Sequence, residues 1–449
     1  MWLLSHSPTP TPQDAYPMSN HTKSDKESRH ALAGTIGNVL EWYDFAVYGF
    51  LAPVMSPLFF PEDDVISGLI NTYGIFAAGY LMRPLGGVIF GHIGDRVGRK
   101  TALQLSIAMM AIPTVLVGLL PVYSQIGASA AILLILLRLL QGISVGGELI
   151  GSMSYLVETA PPHRRGLSGS WSVCGGIAGI LLGSLMATVL TNSLSEAAMQ
   201  SWGWRIPFLS GVVIFAVGSW LRRTLVESPD FEKSKLSGEN EGNPLLEVLR
   251  TMPARVLHMS ISILLFATSF YLLFVWMPTY LTKLVSPPIE HALIINTISM
   301  ALLLLLIPVG GRLSDAFGRK KVMLTATALM GILVYPFFLI LDQGVMIHAL
   351  VIQIIFAILL GAIQGPLPAF MVECFPIRGR YTAIGLSYNI TLAIFGGTAP
   401  LVSTWLIKST DDLASPAIYL VVLSAISFVS MLFLKPIDGK ADSSSISSQ

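Results

Sequence analysis

The sequence predicts an all-α polytopic membrane protein of twelve transmembrane helices, arranged as two six-helix bundles around a central cavity. Three observations predict it. Of its 449 residues, 53% are hydrophobic and 12% charged, and the mean hydropathy is +0.69, whereas a soluble chain carries about 25% charged residues. Apolar runs of about 20 residues, the length that crosses a bilayer, recur along nearly the whole chain. Two loop signatures occur twice, in corresponding places of the two halves. The net charge of +1 provides no overall field for nucleic acid or a strongly acidic partner.

The chain opens on a polar segment, 1–31, read as a disordered cytoplasmic tail. Its only apolar run, Trp2 to Leu4, is too short for a signal-peptide core, and Met18 is a second candidate start of translation. Apolar segments follow near 32–58, 66–91, 101–121, 127–157, 165–192 and 204–223, and again near 256–282, 290–311, 322–341, 346–373, 382–407 and 416–434. Bundles over 32–223 and 256–435 are thus joined by a charged central loop, 224–255, and followed by a short cytoplasmic tail, 436–449. In that loop "NPLLEVLR" has the pattern of a short surface helix, with a solvated hinge as the favoured reading. At this hydrophobicity only helices satisfy their own backbone hydrogen bonds in lipid. Of the 27 Lys and Arg, 22 fall in the tails, the central loop and the other loops on that same side, which places both termini in the cytoplasm. Cys174 and Cys374 lie in apolar segments and read as core thiols, with neither disulfide nor zinc spacing.

Between spans 2 and 3 the chain reads "GHIGDRVGRK", and between spans 8 and 9 "GRLSDAFGRK", 220 residues later. "YLVETAPPHRRG" after span 4 and "FMVECFPIRGRY" after span 10 form a second pair, 215 residues apart. Two signatures duplicated at matching loops mark a duplicated six-span unit, a feature of secondary transporters. Glycines let helices approach closely, and an Asp at a helix end can pair with a neighbouring Arg. Gly91, Asp95, Arg96, Gly98 and Arg99, with Asp315, Gly318 and Arg319, therefore read as a cytoplasmic gate. Ala316 stands where the first copy has Arg96, so the second copy is expected to hold less firmly.

Ionisable residues at membrane depth are the second signal. Span 1, "GNVLEWYDFAVYGF", carries Glu41 and Asp44; span 2 carries Arg83; span 4, "RLLQGISVGGE", carries Arg138 and Glu148. At about 1.5 Å per residue, Glu41 lies about 14 Å into its span, Arg83 about 12 Å from Gly91 and Glu148 about 15 Å from Glu158. Each such charge costs about 2.5–3.5 kcal/mol in the bilayer, so the five must face a cavity or one another. Glu41, Asp44 and Tyr48 share one helix face, as do Arg138, Gln141, Val145 and Glu148. Three carboxylates against two guanidiniums leave one excess negative charge, most simply relieved by one carboxylate holding a proton. Asp44 is the first candidate for that proton and Glu41 the second, because neighbouring acids disfavour each other's ionised form; Glu148 reads as paired with an arginine. The matching second-half segment, "LLFATSFYLLFVWMPTYL", is uncharged and supplies aromatic walls such as Tyr271 and Trp276. Pro366 and Pro368 are expected to break span 10. A "GISVG" match to a nucleophile elbow lies in a membrane helix with no strand before it and reads as chance. No Walker-type loop points to ATP, and no nucleophile–base pair or metal cluster points to an enzyme.

The paired GxxxDxxGRK loops resemble the signature loop of the major facilitator superfamily. With "GNVLEWYDFAVYGF", "FAAGYLMRPLGG", "RLLQGISVGGE", "WGWRIPF" and "IFGGTAP", the chain is similar to that superfamily's metabolite:proton symporter branch over about residues 30–435. The branch includes proline/betaine, citrate, α-ketoglutarate and shikimate transporters. The resemblance implies the major facilitator fold, alternating access and proton-coupled uptake. The tail "KPIDGKADSSSISSQ" lacks the heptads of the osmosensing members' coiled coil. The expectation is a bacterial inner-membrane symporter without a cofactor, working as a monomer on a small polar metabolite and a proton. The cargo is an organic acid or a zwitterionic osmolyte. A proton-independent carrier or exporter of the same fold, or a receptor that binds without transporting, are the rival readings.

Overall fold

The computed structural model of the chain describes residues 20–97, 99–144, 148–213, 216–217, 244–377 and 379–437, and the regular structure in them is helical throughout. The first half runs α1 (Asn20–Phe59), α2 (Val65–Leu81), α3 (Arg83–Val97), α4 (Arg99–Leu119), α5 (Ser129–Ser144), α6 (Glu148–Glu158), α7 (Arg165–Ser193) and α8 (Arg205–Leu209). In the second half come α9 (Pro244–Thr251), α10 (Pro253–Ser262), α11 (Leu264–Phe270), α12 (Ala292–Phe317), α13 (Arg319–Leu341), α14 (Met346–Gln364), α15 (Leu367–Cys374), α16 (Arg380–Thr391), α17 (Ala399–Thr410) and α18 (Ser415–Phe433). Among the described residues nine helical segments are long and apolar enough to cross a membrane. α1 and α4 are two further long helices, and the span expected over 204–223 is described only in part, with α8 at its start. Hydropathy alone undervalues α1, which carries Glu41 and Asp44, and credits α4 only over Gln104–Leu119.

α1 starts at Asn20, inside the segment expected to be an unstructured tail. A buried helix already supplies the nucleus, so each preceding turn adds its hydrogen bonds without a new nucleation cost. Residues 20–33 contain neither Pro nor Gly to stop that growth. The surface helix in "NPLLEVLR" forms as well, as α9, where a hinge was the favoured reading. Its Val248 is fully buried and packs against Gly379 at the start of α16, so protein contacts hold α9 in place. α14 ends at Gln364 and α15 begins at Leu367, the break expected from Pro366 and Pro368. Cys174 and Cys374 are free and buried.

α7 is the central strut, packing on α1 within its own half and on α12 across the seam between halves. The small-residue face of "GGIAGILLG" makes the first contact possible: a Cβ on Gly179 would lie 2.2 Å from the carbonyl oxygen of Val39. Any larger residue would force α1 and α7 apart, and with them the segment that carries Glu41 and Asp44.

Candidate functional site

Close backbone approach also positions Arg138. A Cβ on Gly142 would meet the carbonyl oxygen of Gly79 at 2.0 Å, so α5 lies directly against α2. One turn earlier on α5, Arg138 reaches inward with Nη1 3.3 Å from Asp44 Oδ2 on α1. Gln141 Nε2 donates to the same oxygen at 2.8 Å and lies 2.8 Å from Thr114 Oγ1 on α4. The guanidinium sits 4.0 Å above the Tyr48 ring, whose hydroxyl donates to the Thr72 carbonyl at 3.0 Å. Asp44 and Arg138 are each 1% exposed. A pair this deep persists only because attraction and added hydrogen bonds offset the loss of water. The offset is incomplete: Asp44 Oδ1 and Arg138 Nε and Nη2 have no hydrogen-bond partner among the described residues.

The second pair sits nearer the seam. α2 stops at Leu81 and α3 restarts at Arg83, whose Nη2 is 3.5 Å from Glu41 Oε1. Its guanidinium lies 5.1 Å from the Trp42 ring, 5.3 Å from Tyr80 and 5.8 Å from Phe45. Tyr80 carries the contact into the second half through a 2.8 Å hydroxyl–hydroxyl bond to Tyr271. Beside this cluster is a cavity of about 30 Å³, room for about two or three waters at about 10–15 Å³ each. Trp42, Ile177, Phe266, Phe270, Tyr271 and Tyr388 contribute to its wall.

Four of the five expected charges thus meet one another as two separate pairs, Asp44–Arg138 and Glu41–Arg83. The backbone of Glu148 opens α6; its side chain, on which the excess negative charge rested, lies outside the described residues. Tyr271 lines the cavity and Tyr48 supports Arg138. Trp276 does not join them: its indole N–H donates to Thr404 Oγ1 at 2.9 Å and its ring packs on Tyr280, 5.1 Å away. Trp42 and Tyr388 were missed. Trp42 stood in the quoted span-1 stretch beside Glu41, but aromatics in apolar segments carry no sequence mark that separates wall from core.

At the end of the bundle that bears the duplicated loops, Asp315 accepts the backbone N–H groups of Gly166 and Leu167, each at 2.9 Å. It thereby caps α7 of the other half with negative charge at a helix N-terminus. Arg319 pairs with Asp315 at 2.7 Å and with Glu373 at 3.3 Å, and Arg380 pairs with Glu158 at 2.7 Å. Gly318, at φ +96°, makes the sharp turn between α12 and α13. None of these contacts uses position 316; the first copy, with which the second was expected to compare, has its charged side chains outside the described residues. Gly98 and the side chains of Asp95, Arg96 and Arg99, with the surroundings of Gly91, lie outside the described residues.

At the opposite end Asp64 caps α2 and pairs with Lys408 of α17 at 3.1 Å, and Lys408 also contacts the Ser67 hydroxyl. The Ser67 hydroxyl, Lys408 and the Ile66 N–H together hold the Asp64 carboxyl down at about 2. Tyr73 and Thr279 share a 2.7 Å hydroxyl bond across the same seam. Contacts thus join the two halves at both ends.

Sequence profiles match in both halves: "Sugar (and other) transporter" over residues 30–254 and "Major Facilitator Superfamily" over residues 288–448. The glycine betaine/proline/ectoine/pipecolic acid transporter OusA of Dickeya dadantii (strain 3937) is 34% identical over 421 residues, 92% of this chain and 84% of its own. The chain belongs to the major facilitator superfamily. The proline/betaine transporter of Salmonella typhimurium (strain LT2) is likewise 34% identical over 421 residues, 92% of this chain and 84% of its own. Among solved structures, a D-xylose-proton symporter shares the fold with a TM-score of 0.70 at 20% identity, covering 91% of this chain and 97% of its own. The chain is accordingly a polytopic membrane transporter, not an enzyme, and its duplicated loops are those of a superfamily member.

Proposed function

We propose that this chain is a proton-driven symporter that imports a small zwitterionic osmolyte of the proline/betaine kind across a bacterial inner membrane, with both termini cytoplasmic. The observation that carries the reading is the charge-matched pairing of the two arginines beneath the closed seam. Each guanidinium has its own carboxylate, so among the described residues the cavity region carries no surplus positive charge. A cargo that is neutral overall but bears a carboxylate suits such a site better than a citrate-like anion, which would enter against Glu41 and Asp44. The names of the two 34%-identical relatives point the same way.

Asp44 is the proton carrier in this reading. Protonation removes the charge that holds Arg138, freeing α5 to move against α1; deprotonation restores it. Glu41 and Arg83 sit where cargo meets the seam. The two six-helix halves, 32–223 and 256–435, rock about the α7–α12 contact. Asp315, Gly318, Arg319 and the matching first loop form the cytoplasmic gate, and Asp64 with Lys408 forms the outer one. Proteoliposomes with an imposed inward proton gradient test this. Glycine betaine and proline accumulate against their gradients, citrate and α-ketoglutarate do not, and an ionophore abolishes accumulation. Equal uptake with the gradient collapsed overturns symport, and uptake of citrate alone overturns the cargo class.

A further inference from the structure

The cavity beside Arg83 has a wall whose chemistry is more specific than "small polar cargo". Phe266, Phe270, Tyr271 and Tyr388 of the second half face Trp42 of the first across it. The rings form two pairs, with Phe266–Tyr388 centroids 5.8 Å apart and Phe270–Tyr271 5.5 Å apart. Among the described residues no carboxylate lines this wall. Its unmet polar atoms are the Trp42 indole N–H, a donor, and Gln364 Oε1, an acceptor, both on side chains at least nine-tenths buried. Just behind Trp42, Arg83 leaves Nε and Nη1 without partners among the described residues, and Tyr388 lies within electrostatic reach of Arg83 and Glu41.

We infer that this cavity is a selectivity site for a methylated ammonium zwitterion, its quaternary nitrogen against the Phe266–Phe270–Tyr271–Tyr388 wall and its carboxylate toward Trp42 Nε1 and Arg83. The inference rests on the zwitterion reading above and deepens it. A quaternary ammonium is attracted to ring faces and brings no N–H that needs an acceptor. A primary ammonium brings three donors to a wall with a single unmet amide oxygen, and leaving buried donors unmet is costly. The carboxylate end finds the donors that the two residues leave free. In this closed arrangement the space is narrow, so cargo enters as the halves part and the rings close onto it. The wall thus ranks ligands by methylation, a property that pairing of charges alone does not confer.

The test is a methylation ladder on the full chain in proteoliposomes. Glycine betaine, dimethylglycine, sarcosine and glycine compete against labelled glycine betaine uptake, with labelled proline uptake measured beside it. Apparent affinity should fall stepwise from three methyls to none in the unaltered protein. Tyr388→Leu should weaken glycine betaine by about 5–30-fold and flatten the ladder, while Tyr388→Phe, which keeps the ring face, should stay within about threefold. Phe270→Leu, read the same way, guards against a folding defect in the first variant. A flat ladder in the unaltered protein, or equal losses for glycine betaine and proline with the ladder intact in both leucine variants, overturns the inference and leaves the proposed function standing. Absence of uptake of every zwitterion in the unaltered protein overturns the function itself, and the inference with it.

Discussion

The two halves repeat the same loops but differ at the centre of their fourth and tenth spans. Along the 215-residue offset that brings "YLVETAPPHRRG" onto "FMVECFPIRGRY", Arg138 falls on Gln353. In the first half that position carries a buried ion pair to Asp44. In the second it carries a neutral bond: Gln353 Nε2 donates to the Leu273 carbonyl at 3.0 Å. Leu273 lies in the π-helical stretch Tyr271–Trp276, where an i→i+5 pattern shifts backbone carbonyls from their usual partners. A duplicated scaffold can therefore hold one half with a protonatable contact and one half with a contact that pH cannot change. In the proposed function the first half senses the proton and the second shapes the cavity wall.

The largest effect is expected where that difference is erased in the first half. Asp44→Asn should abolish accumulation against a gradient while counterflow exchange of glycine betaine continues, because exchange needs the two ends to open but no proton release. Accumulation that survives in this variant would move the proton site elsewhere, Glu41 first. Arg138→Leu should destabilise the folded protein by about 3–5 kcal/mol, since it strands the buried Asp44 charge. The double variant Asp44→Asn/Arg138→Gln, which writes the second half's neutral chemistry into the first, should recover much of that stability in thermal unfolding but none of the accumulation. Recovery of both would mean that the pair is purely structural.

The complementary change in the second half should be milder. Gln353→Leu leaves the Leu273 carbonyl unmet and should cost about 1–3 kcal/mol of stability, with the pH dependence of uptake unshifted. A shifted pH profile would show that proton coupling reaches across both halves. The seam between them can be probed with a native thiol. Cys174 is buried, with Sγ 3.9 Å from the Leu304 carbonyl of α12. Asp315→Ala removes two charge-assisted bonds to α7, and labelling of Cys174 by a membrane-permeant maleimide should rise by at least about tenfold. Unchanged labelling would mean that the α7–α12 packing alone keeps this end shut.

Much of this was legible in the sequence, for physical reasons that vary by residue. Membrane charges are expensive enough that Asp44, Glu41, Arg83 and Arg138 announced themselves, and helical phase correctly put Gln141 on the same face as Arg138. Their division into two pairs was not legible, because it depends on how closely Gly142 lets α5 approach Gly79, a contact between separate spans. Periodicity likewise could not tell Trp276, bonded to Thr404, from Tyr271, which lines the cavity; both are aromatics in one uncharged stretch. The duplicated Asp315 was recognised, yet its partner is a helix N-terminus in the other half. Backbone N–H groups leave no signature in composition.

The smallest effect belongs to the outer gate. Asp64 and Lys408 meet at 3.1 Å with about half of each side chain exposed. Exposed pairs of this kind contribute little and are screened by salt. The Ser67 hydroxyl first, then Lys408 and the Ile66 N–H, hold the Asp64 carboxyl at about 2; Ser67 and Ile66 belong to the α2 cap itself, so only the Lys408 share depends on closure, and that share is lost as pH falls through about 2. In the proposed orientation an acidic exterior therefore leaves it intact, and external pH is expected to act on transport through Asp44 instead. Ionic strength is the lever that remains: raising external salt to about 1 M, where the Debye length is about 3 Å, should loosen the gate. Lys408→Gln should alter the apparent affinity for glycine betaine by at most about fivefold and remove most of that salt dependence. A Lys408→Gln protein that keeps its full salt response would place the ionic-strength sensitivity at the other end, in the Asp315, Arg319 and Glu373 contacts, where burial shields the charges and makes it harder to explain.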